Sequence, residues 1–374
     1  MTSALDIAFV GAGGVNFGGA EGPWDHASRL EKLEGIRLAG VADPNTEKAG
    51  ARLGERSGPM YDSTRVFADY RDMLSELDLD AVWIGVPPSA HGTLEDDKDI
   101  EATCARAGVN MFVEKPLSAA RPDKVREVAE VIANSDVLVS VGYMFRYSQA
   151  VDEMREILTS TDGGARAFIA LYDCAYSCIR KTSWWDMASS GGPIVEQATH
   201  FIDLARYLVG DADLETLSGV SIQPDEEKGN LSDLPVRGDG LSFQDPVPAE
   251  RRVPRATAAT WKFQNGAIGT LNHGVLLHEK RYESEIEIWG DGLRMVLQDP
   301  YDKCRLDVRR PHREETRRRQ FDDDDPYFTE NQAFVEAIRE NDPSLIRSTY
   351  ADALKTFELT WAITDATGEA GRGE

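Results

Sequence analysis

Hydrophobic positions along the chain follow two rhythms. Up to about Tyr147, short β-branched runs alternate with stretches of helical periodicity; the runs are Ile7 to Val10, Leu38 to Ala42, Ala81 to Val86, Asn110 to Val113 and Val137 to Val141. The helices predicted between them are His26 to Leu33, Thr46 to Glu55, Arg71 to Glu76, Asp97 to Ala107 and Ala119 to Ala133. Short apolar strands separated by helices fit a parallel sheet, because crossover helices cover both of its faces. Residues 1–147 are expected to form a doubly wound α/β domain.

After Tyr147 a helix (Gln149 to Leu158), an alternating strand (Arg166 to Tyr172) and a helix from Pro193 to Leu208 come first. Strands are then predicted in series at Leu214 to Ile222, Ala256 to Phe263, Ala267 to Val275, Tyr282 to Trp289, Arg294 to Gln298 and Arg305 to Arg309. Turn signals such as Asn265-Gly266 and Gly290-Asp291-Gly292 join neighbouring strands, which argues a large, mainly antiparallel sheet. Residues 148–374 are thus expected to be an α+β domain. Two helices close the chain, Tyr327 to Glu340 and Leu345 to Thr364, the second announced by Asp342-Pro343-Ser344; they could pack back on the first domain. The stretch Gln223 to Pro254 holds five of the 17 prolines and many acids, and is expected to be a long surface loop.

Composition narrows the function. The chain has 374 residues, 41% hydrophobic and 28% charged, which suits ordinary globular domains. Its net charge of −24 repels phosphate backbones and anionic lipids, so nucleic acid and membrane partners are expected to be absent and a small molecule present. Both halves share the excess, −9 up to Tyr147 and −15 beyond, so it is a general surface property. No apolar run approaches the roughly 20 residues of a membrane helix, and no secretory pattern opens the sequence; a cytoplasmic protein is expected. Four cysteines are too sparse for a disulfide framework. Cys174 and Cys178 sit in an alternating strand pattern without a second ligand pair, so no metal is expected.

Four motifs carry chemistry. The first strand ends in Gly11-Ala12-Gly13-Gly14-Val15-Asn16. Glycines there permit a tight strand-to-helix turn and let backbone approach a pyrophosphate, although Asn16 replaces the fingerprint's third glycine and the next helix is expected only near His26. The second strand ends at Asp43, where a carboxylate would accept from adenosine ribose hydroxyls and repel a 2′-phosphate; NAD(H) is favoured over NADP(H). An Asp there would equally cap the helix from Thr46. Glu114-Lys115-Pro116-Leu117 closes the fifth strand, where doubly wound sheets bind ligands, and a lysine partly desolvated beside a cofactor suits hydrogen bonding to a substrate hydroxyl. Pro116 is a candidate for a cis bond. Finally, in Gly191-Gly192-Pro193-Ile194-Val195-Glu196-Gln197-Ala198-Thr199-His200-Phe201-Ile202-Asp203, a helix opened by Pro193 would put Glu196, His200 and Asp203 on one face.

Together these features resemble the glucose-fructose oxidoreductase, inositol dehydrogenase and MocA-type family (Gfo/Idh/MocA) of nicotinamide-dependent sugar and polyol oxidoreductases. The resemblance rests on Gly11-Ala12-Gly13, Val86-Pro87-Pro88 followed by His91, Glu114-Lys115-Pro116, Gly142-Tyr143 with Arg146, and Gly191 to Asp203, and spans nearly the whole chain. It implies a Rossmann domain, Lys115 and His200 as the catalytic pair, and Glu196 as a helper carboxylate where many members carry Asp. Gly11, Gly13, Gly14, Val15, Asn16, Asp43, Pro87, His91, Glu114 and Lys115 would then serve the cofactor. Tyr143, Arg146, Arg180, Trp184, Trp185 and His200 would serve a carbohydrate-like substrate. Trp184 and Trp185 could instead pack between domains. By analogy with relatives, a homo-oligomer, dimer or tetramer, is expected. The loop from Asn16 to Asp25 and the acidic insertion Glu95 to Asp99 depart from the family pattern. The block Arg309 to Arg319, with six arginines and with Glu314 and Glu315 among them, is expected to be a mutually paired surface. The expected activity is hydride transfer at a secondary alcohol or ketone of a sugar, polyol or related cyclic compound. A non-catalytic dinucleotide-binding regulator and a redox-neutral enzyme that oxidises transiently are the alternatives.

Overall fold

The computed structural model describes residues 4–19, 24–230, 239–311, 313 and 315–368. It divides into two compact units, residues 1–147 with 325–354, and residues 148–324 with 355–374.

In the first unit six strands form a parallel sheet: β1 (Leu5–Val10), β2 (Ile36–Ala42), β3 (Arg65–Phe67), β4 (Ala81–Ile84), β5 (Asn110–Val113) and β6 (Val139–Val141). Their order is β3-β2-β1-β4-β5-β6, so the chain reverses its direction of travel between β1 and β4. All strands point the same way, and their C-terminal ends share one edge. Ile7, Phe9, Trp83 and Phe112 are fully buried, as a sheet covered on both faces requires. The helix Pro326–Glu340 returns to this unit and sets Phe334 edge-on against Trp83 and Phe112. β3 is the one strand of this sheet that the hydrophobic pattern misses, because its apolar part is only Val66 and Phe67, with Arg65 before them and Asp69 soon after. The expected helix His26 to Leu33 shortens to Ala27–Leu30, and an unexpected one-turn helix, Gly14–Phe17, follows the glycine turn directly.

The second unit is built on an eight-stranded sheet ordered β14-β13-β12-β11-β7-β10-β9-β8. Its strands are β7 (Ala167–Ala175), β8 (Ala212–Ile222), β9 (Ala256–Phe263), β10 (Ile268–Leu277), β11 (Tyr282–Gly290), β12 (Leu293–Gln298), β13 (Arg305–Arg309) and β14 (Arg317–Gln320). Every pair is antiparallel except β7 with β10. Phe168, Ile286, Ile288 and Leu297 face inward with almost no exposure, and the helix Thr199–Val209 packs against β7.

Three expectations change in this unit. The helix expected from Pro193 to Leu208 is two, Pro193–Glu196 and Thr199–Val209. Gln197 and Ala198 both donate to the Pro193 carbonyl, at 3.0 Å each, and the second of these bonds spans five residues, which widens the turn and ends the first helix. The block Arg309 to Arg319 contains edge strand β14, whose Arg317 and Arg319 pair with Glu153 and whose Arg318 pairs with Asp307. Its arginines hide it from a hydrophobic scan, and they suit an edge that must not pair further. Glu314 lies outside the described residues. The stretch Gln223 to Pro254, of which residues 231–238 are likewise outside them, is not simply a surface loop: Leu241, Val247 and Val253 are buried, and Arg251 pairs with Asp186. In the first unit the last helix starts at Tyr350 rather than Leu345, because Pro343–Leu345 form a separate short turn that Ile346 ends in extended conformation, and the Ser348 carbonyl accepts from Val141 N–H (2.9 Å).

Candidate functional site

Within the first unit, the C-terminal edge of the sheet collects the glycine turn after β1, Asp43 after β2, Pro87 after β4 and Glu114-Lys115 after β5. Gly11 is dictated by packing: its φ is +95°, and a Cβ there would lie 2.7 Å from the Gly85 carbonyl oxygen. Gly14 is different, since a Cβ would meet nothing within 4 Å, and Gly13 would touch one atom at 3.7 Å. Open space in front of two bare glycine backbones is what a pyrophosphate needs, so these residues fit a dinucleotide. Val15, half-buried, accepts from His26 N–H through its carbonyl (2.9 Å).

Asn16 turns inward. Fully buried, it donates through Nδ2 to the carbonyls of Gly11 (2.7 Å) and Val10 (3.2 Å) and sits where a Cβ on Gly85 would go. Its side chain braces the turn from inside. Asp43 is also tied down: its carboxylate accepts from Ala12 N–H (2.8 Å) and Asn45 N–H (2.9 Å), with Lys48 Nζ at 3.6 Å. It is not the helix cap, because Asn45 accepts from Lys48 N–H (2.9 Å) in that role.

His91 is buried and its Nδ1 lies 2.6 Å from Glu101 Oε1, while Glu101 Oε2 accepts from Gly92 N–H (3.1 Å). Pro87 is exposed ahead of the turn Pro88–Ala90. The Lys115-Pro116 bond is cis. Glu114 accepts from the Lys115 N–H (3.2 Å) and contacts His26 Nε2 (3.0 Å). The two departures from the family pattern are anchored. Arg56 binds Asp25 and the Phe17 carbonyl after the glycine turn, and Asp99 takes Tyr70, Arg71 and Thr103. Burial would raise the Asp25 carboxyl, but Ser28, Arg56 and Arg29 together hold it below the ordinary range.

Tyr143 and Arg146, expected at the substrate, are 1% and 3% exposed. Arg146 donates to the Arg347 carbonyl (2.6 Å) and pairs with Asp352 (2.6 Å), so its charge is spent on the closing segment of the first unit.

In the second unit, Gly191 ends the helix Met187–Ser190 in the left-handed region (φ +76°), Gly192 follows at φ +90° and ψ 171°, and Pro193 opens the next turn. This places His200 on the first turn of Thr199–Val209, buried, with the Tyr301 ring edge-on at 6.1 Å between centroids. Glu196 Oε2 accepts from Trp184 Nε1 (2.8 Å). The turn break sends Gln197 to the sheet, where Oε1 meets His273 Nε2 (3.0 Å). His273 stacks on Tyr172, and burial pushes its imidazole down to about 3. Glu196, on the preceding short helix, is the member the break takes out of line, whereas Asp203 stays three residues after His200 on the same helix; it accepts from Thr356 Oγ1 (3.0 Å), which in turn accepts from Arg206 (2.8 Å).

Trp185 is 0% exposed and packs edge-on against Trp184 within this unit. Arg180 is exposed, with Asp239 3.8 Å away. Among the described residues no group of three or more His, Cys, Asp or Glu could hold a metal ion, and no helix is long and apolar enough to cross a membrane. Sequence reading missed His26, Asn331 and Glu101, whose partners are distant along the chain or ordinary in type.

Comparison with known proteins agrees with this geometry. Residues 5–143 match the Gfo/Idh/MocA family model, described as "Oxidoreductase family, NAD-binding Rossmann fold". Residues 146–293 match an oxidoreductase C-terminal domain. An uncharacterized protein of Schizosaccharomyces pombe is 36% identical over 374 residues, 96% of this chain and 90% of its own length. Inositol 2-dehydrogenase 4 of Saccharopolyspora erythraea is 28% identical over 227 residues, 60% of this chain and 59% of its own. A levoglucosan dehydrogenase solved with NADH shares the fold at a TM-score of 0.76 and 18% identity, covering 99% of this chain and 98% of that one. The chain belongs to the Gfo/Idh/MocA family of NAD(P)-binding Rossmann-fold oxidoreductases.

Proposed function

We propose that the protein is an NAD(H)-preferring dehydrogenase or reductase acting on a secondary alcohol or ketone of a sugar, polyol or related cyclic compound. The observation that carries this reading is the exit of Glu114-Lys115-Pro116 from the sheet edge that also bears the open glycine turn and Asp43. Inositol 2-dehydrogenases among the relatives support the polyol class. Gly13 and Gly14 would hold the dinucleotide's pyrophosphate and Asp43 its adenosine ribose, the carboxylate disfavouring a 2′-phosphate. When bound, the nicotinamide supplies the hydride acceptor or donor. Lys115 donates from its ammonium to the substrate oxygen and stabilises negative charge there. His200 exchanges the hydroxyl proton at a ring nitrogen, with Glu196 as helper. Acid–base assistance of this kind is worth roughly 10²- to 10⁴-fold.

Self-association is part of the proposal. On the outer face of the second sheet Leu171, Val220, Ile268, Leu276 and Trp289 are 43%, 71%, 49%, 49% and 47% exposed, and Val220, Ala258, Asn272 and Leu171 stand side by side across four strands. An apolar row of this kind suits a second copy of the chain. Sedimentation should show a dimer or tetramer that Val220→Glu weakens.

Titration with NAD(H) and NADP(H) while a panel of sugars and polyols is screened for nicotinamide absorbance tests the activity. Turnover with NAD is expected. Binding without turnover points to a regulator, and product without net NADH to a redox-neutral enzyme.

A further inference from the structure

A hydrogen-bond network behind Glu114 fixes where its protons lie. Trp83 Nε1, which can only donate, donates to Asn331 Oδ1 (2.8 Å). Asn331 Nδ2 donates to the Tyr327 carbonyl (2.7 Å), so the amide has one orientation. His26 Nδ1 lies 3.1 Å from the same Oδ1, and since that oxygen only accepts, Nδ1 carries a proton. The ring's other nitrogen, Nε2, lies 3.0 Å from Glu114 Oε1. An imidazole protonated at Nδ1 alone would turn a lone pair onto a carboxylate oxygen.

We infer that a further proton lies between His26 Nε2 and Glu114 Oε1, making the two side chains an imidazolium–carboxylate pair, and that His26 is thereby a positioning residue for Lys115. Glu114 Oε2 accepts from Lys115 N–H (3.2 Å), so the carboxylate links the imidazolium to the lysine backbone. The pair is partly enclosed, with the Glu114 side chain 20% exposed. Phe112 meets the His26 ring edge-on at 4.8 Å, and Gly142 lies so near that a Cβ would come within 3.0 Å of both Glu114 oxygens. His26 and Asn331 are 4% and 1% exposed, which leaves little room for water to replace either. His26 N–H also donates to the Val15 carbonyl (2.9 Å), so one residue ties the glycine turn to the lysine segment.

The kinetic part of this inference rests on the reading of Lys115 as a reacting group; the proton count does not. The test is nitrogen-15 NMR of the full-length protein labelled at its six histidines, in wild type, His26→Gln and Glu114→Gln. At neutral pH one histidine should have both ring nitrogens protonated, its signals should vanish in His26→Gln, and it should lose one proton in Glu114→Gln. A wild-type His26 with a single protonated nitrogen overturns the pair. With NAD and a turned-over polyol, His26→Gln should lower kcat by up to about 10²-fold, the cost of a misplaced group, while KM for NAD changes little. An unchanged kcat, or equal damage to kcat and KM, overturns the positioning role. Full turnover in Lys115→Ala would instead remove the reading of Lys115 and leave the proton count standing.

Discussion

Two regions carry the proposed chemistry, the strand-end corner around Lys115 and the helix start around His200, and they are built by opposite means. In the first, polar groups answer one another: Glu114 meets His26, Asp43 accepts two backbone N–H groups, and Glu101 meets His91. In the second, aromatic surface dominates: His200 meets Tyr301, Tyr301 meets Tyr172, and Tyr172 covers His273. The histidines register the difference. A ring placed between an amide oxygen and a carboxylate can hold an extra proton, whereas a ring given only an amide and a phenol ring is forced neutral. The first corner is suited to fixing charge at a point, the second to keeping an imidazole in dry surroundings.

The most severe break of that comparison is Lys115→Ala. Turnover should fall roughly 10²- to 10⁴-fold, while NADH binding followed by fluorescence persists, because the glycine turn does not depend on the ammonium. Turnover at the wild-type rate would remove the chemical distinction between the corners.

Glycines sharpen it next. Gly192 occupies a backbone region open almost only to glycine, and a Cβ would meet Met187 Sδ at 2.6 Å. Positive-φ strain predicts that Gly192→Ala costs roughly 1–3 kcal/mol in urea unfolding, the flexible end of Met187 giving way to the new methyl. Gly14→Ala should leave unfolding unchanged, since its Cβ meets nothing within 4 Å, but it fills the space assigned to pyrophosphate and should weaken dinucleotide binding about tenfold. A glycine kept for its fold and a glycine kept for its ligand would thus separate in two measurements. Equal loss of stability in both variants would mean the turn after β1 is also a packing device.

The same contrast explains what could be read along the chain. Parallel strands bury both faces, so the first unit announces itself in short apolar runs, and topology then carries Asp43 and Lys115 to one edge. Alternation did as well for β9 and β13, found at the expected residues. Short or charged elements leave no such mark, and β3 and the arginine-rich β14 were missed for that reason. The broken helix before His200 is a different failure. Its sequence has helical period throughout, and neither the bond from Ala198 N–H back to the Pro193 carbonyl nor the contact of Gln197 with His273 on β10 leaves a local mark. Side-chain partnerships were least legible: His26 is 88 positions from Glu114 and 305 from Asn331, and nothing local in its sequence marks it.

His273 supplies the smallest effect and the cleanest sign. Burial lowers its native value to about 3, against about 6.5 in an unfolded chain. Above pH 6.5 both states are neutral and the group has no influence on stability. Between about 6.5 and 3 the unfolded chain takes up a proton that the native ring refuses, so stability must fall as pH falls, by about 1.4 kcal/mol per unit and about 2 kcal/mol by pH 5. Urea midpoints of wild type and His273→Gln, measured at pH 7.5 and pH 5, isolate this contribution from the carboxylates, which titrate in both proteins alike. The wild type should lose about 2 kcal/mol more than the variant on acidification. Equal losses would show that the ring is protonated in the native state. Gln197 Oε1 would then be accepting from an imidazolium, and the dry character assigned to the second corner would no longer distinguish it from the first.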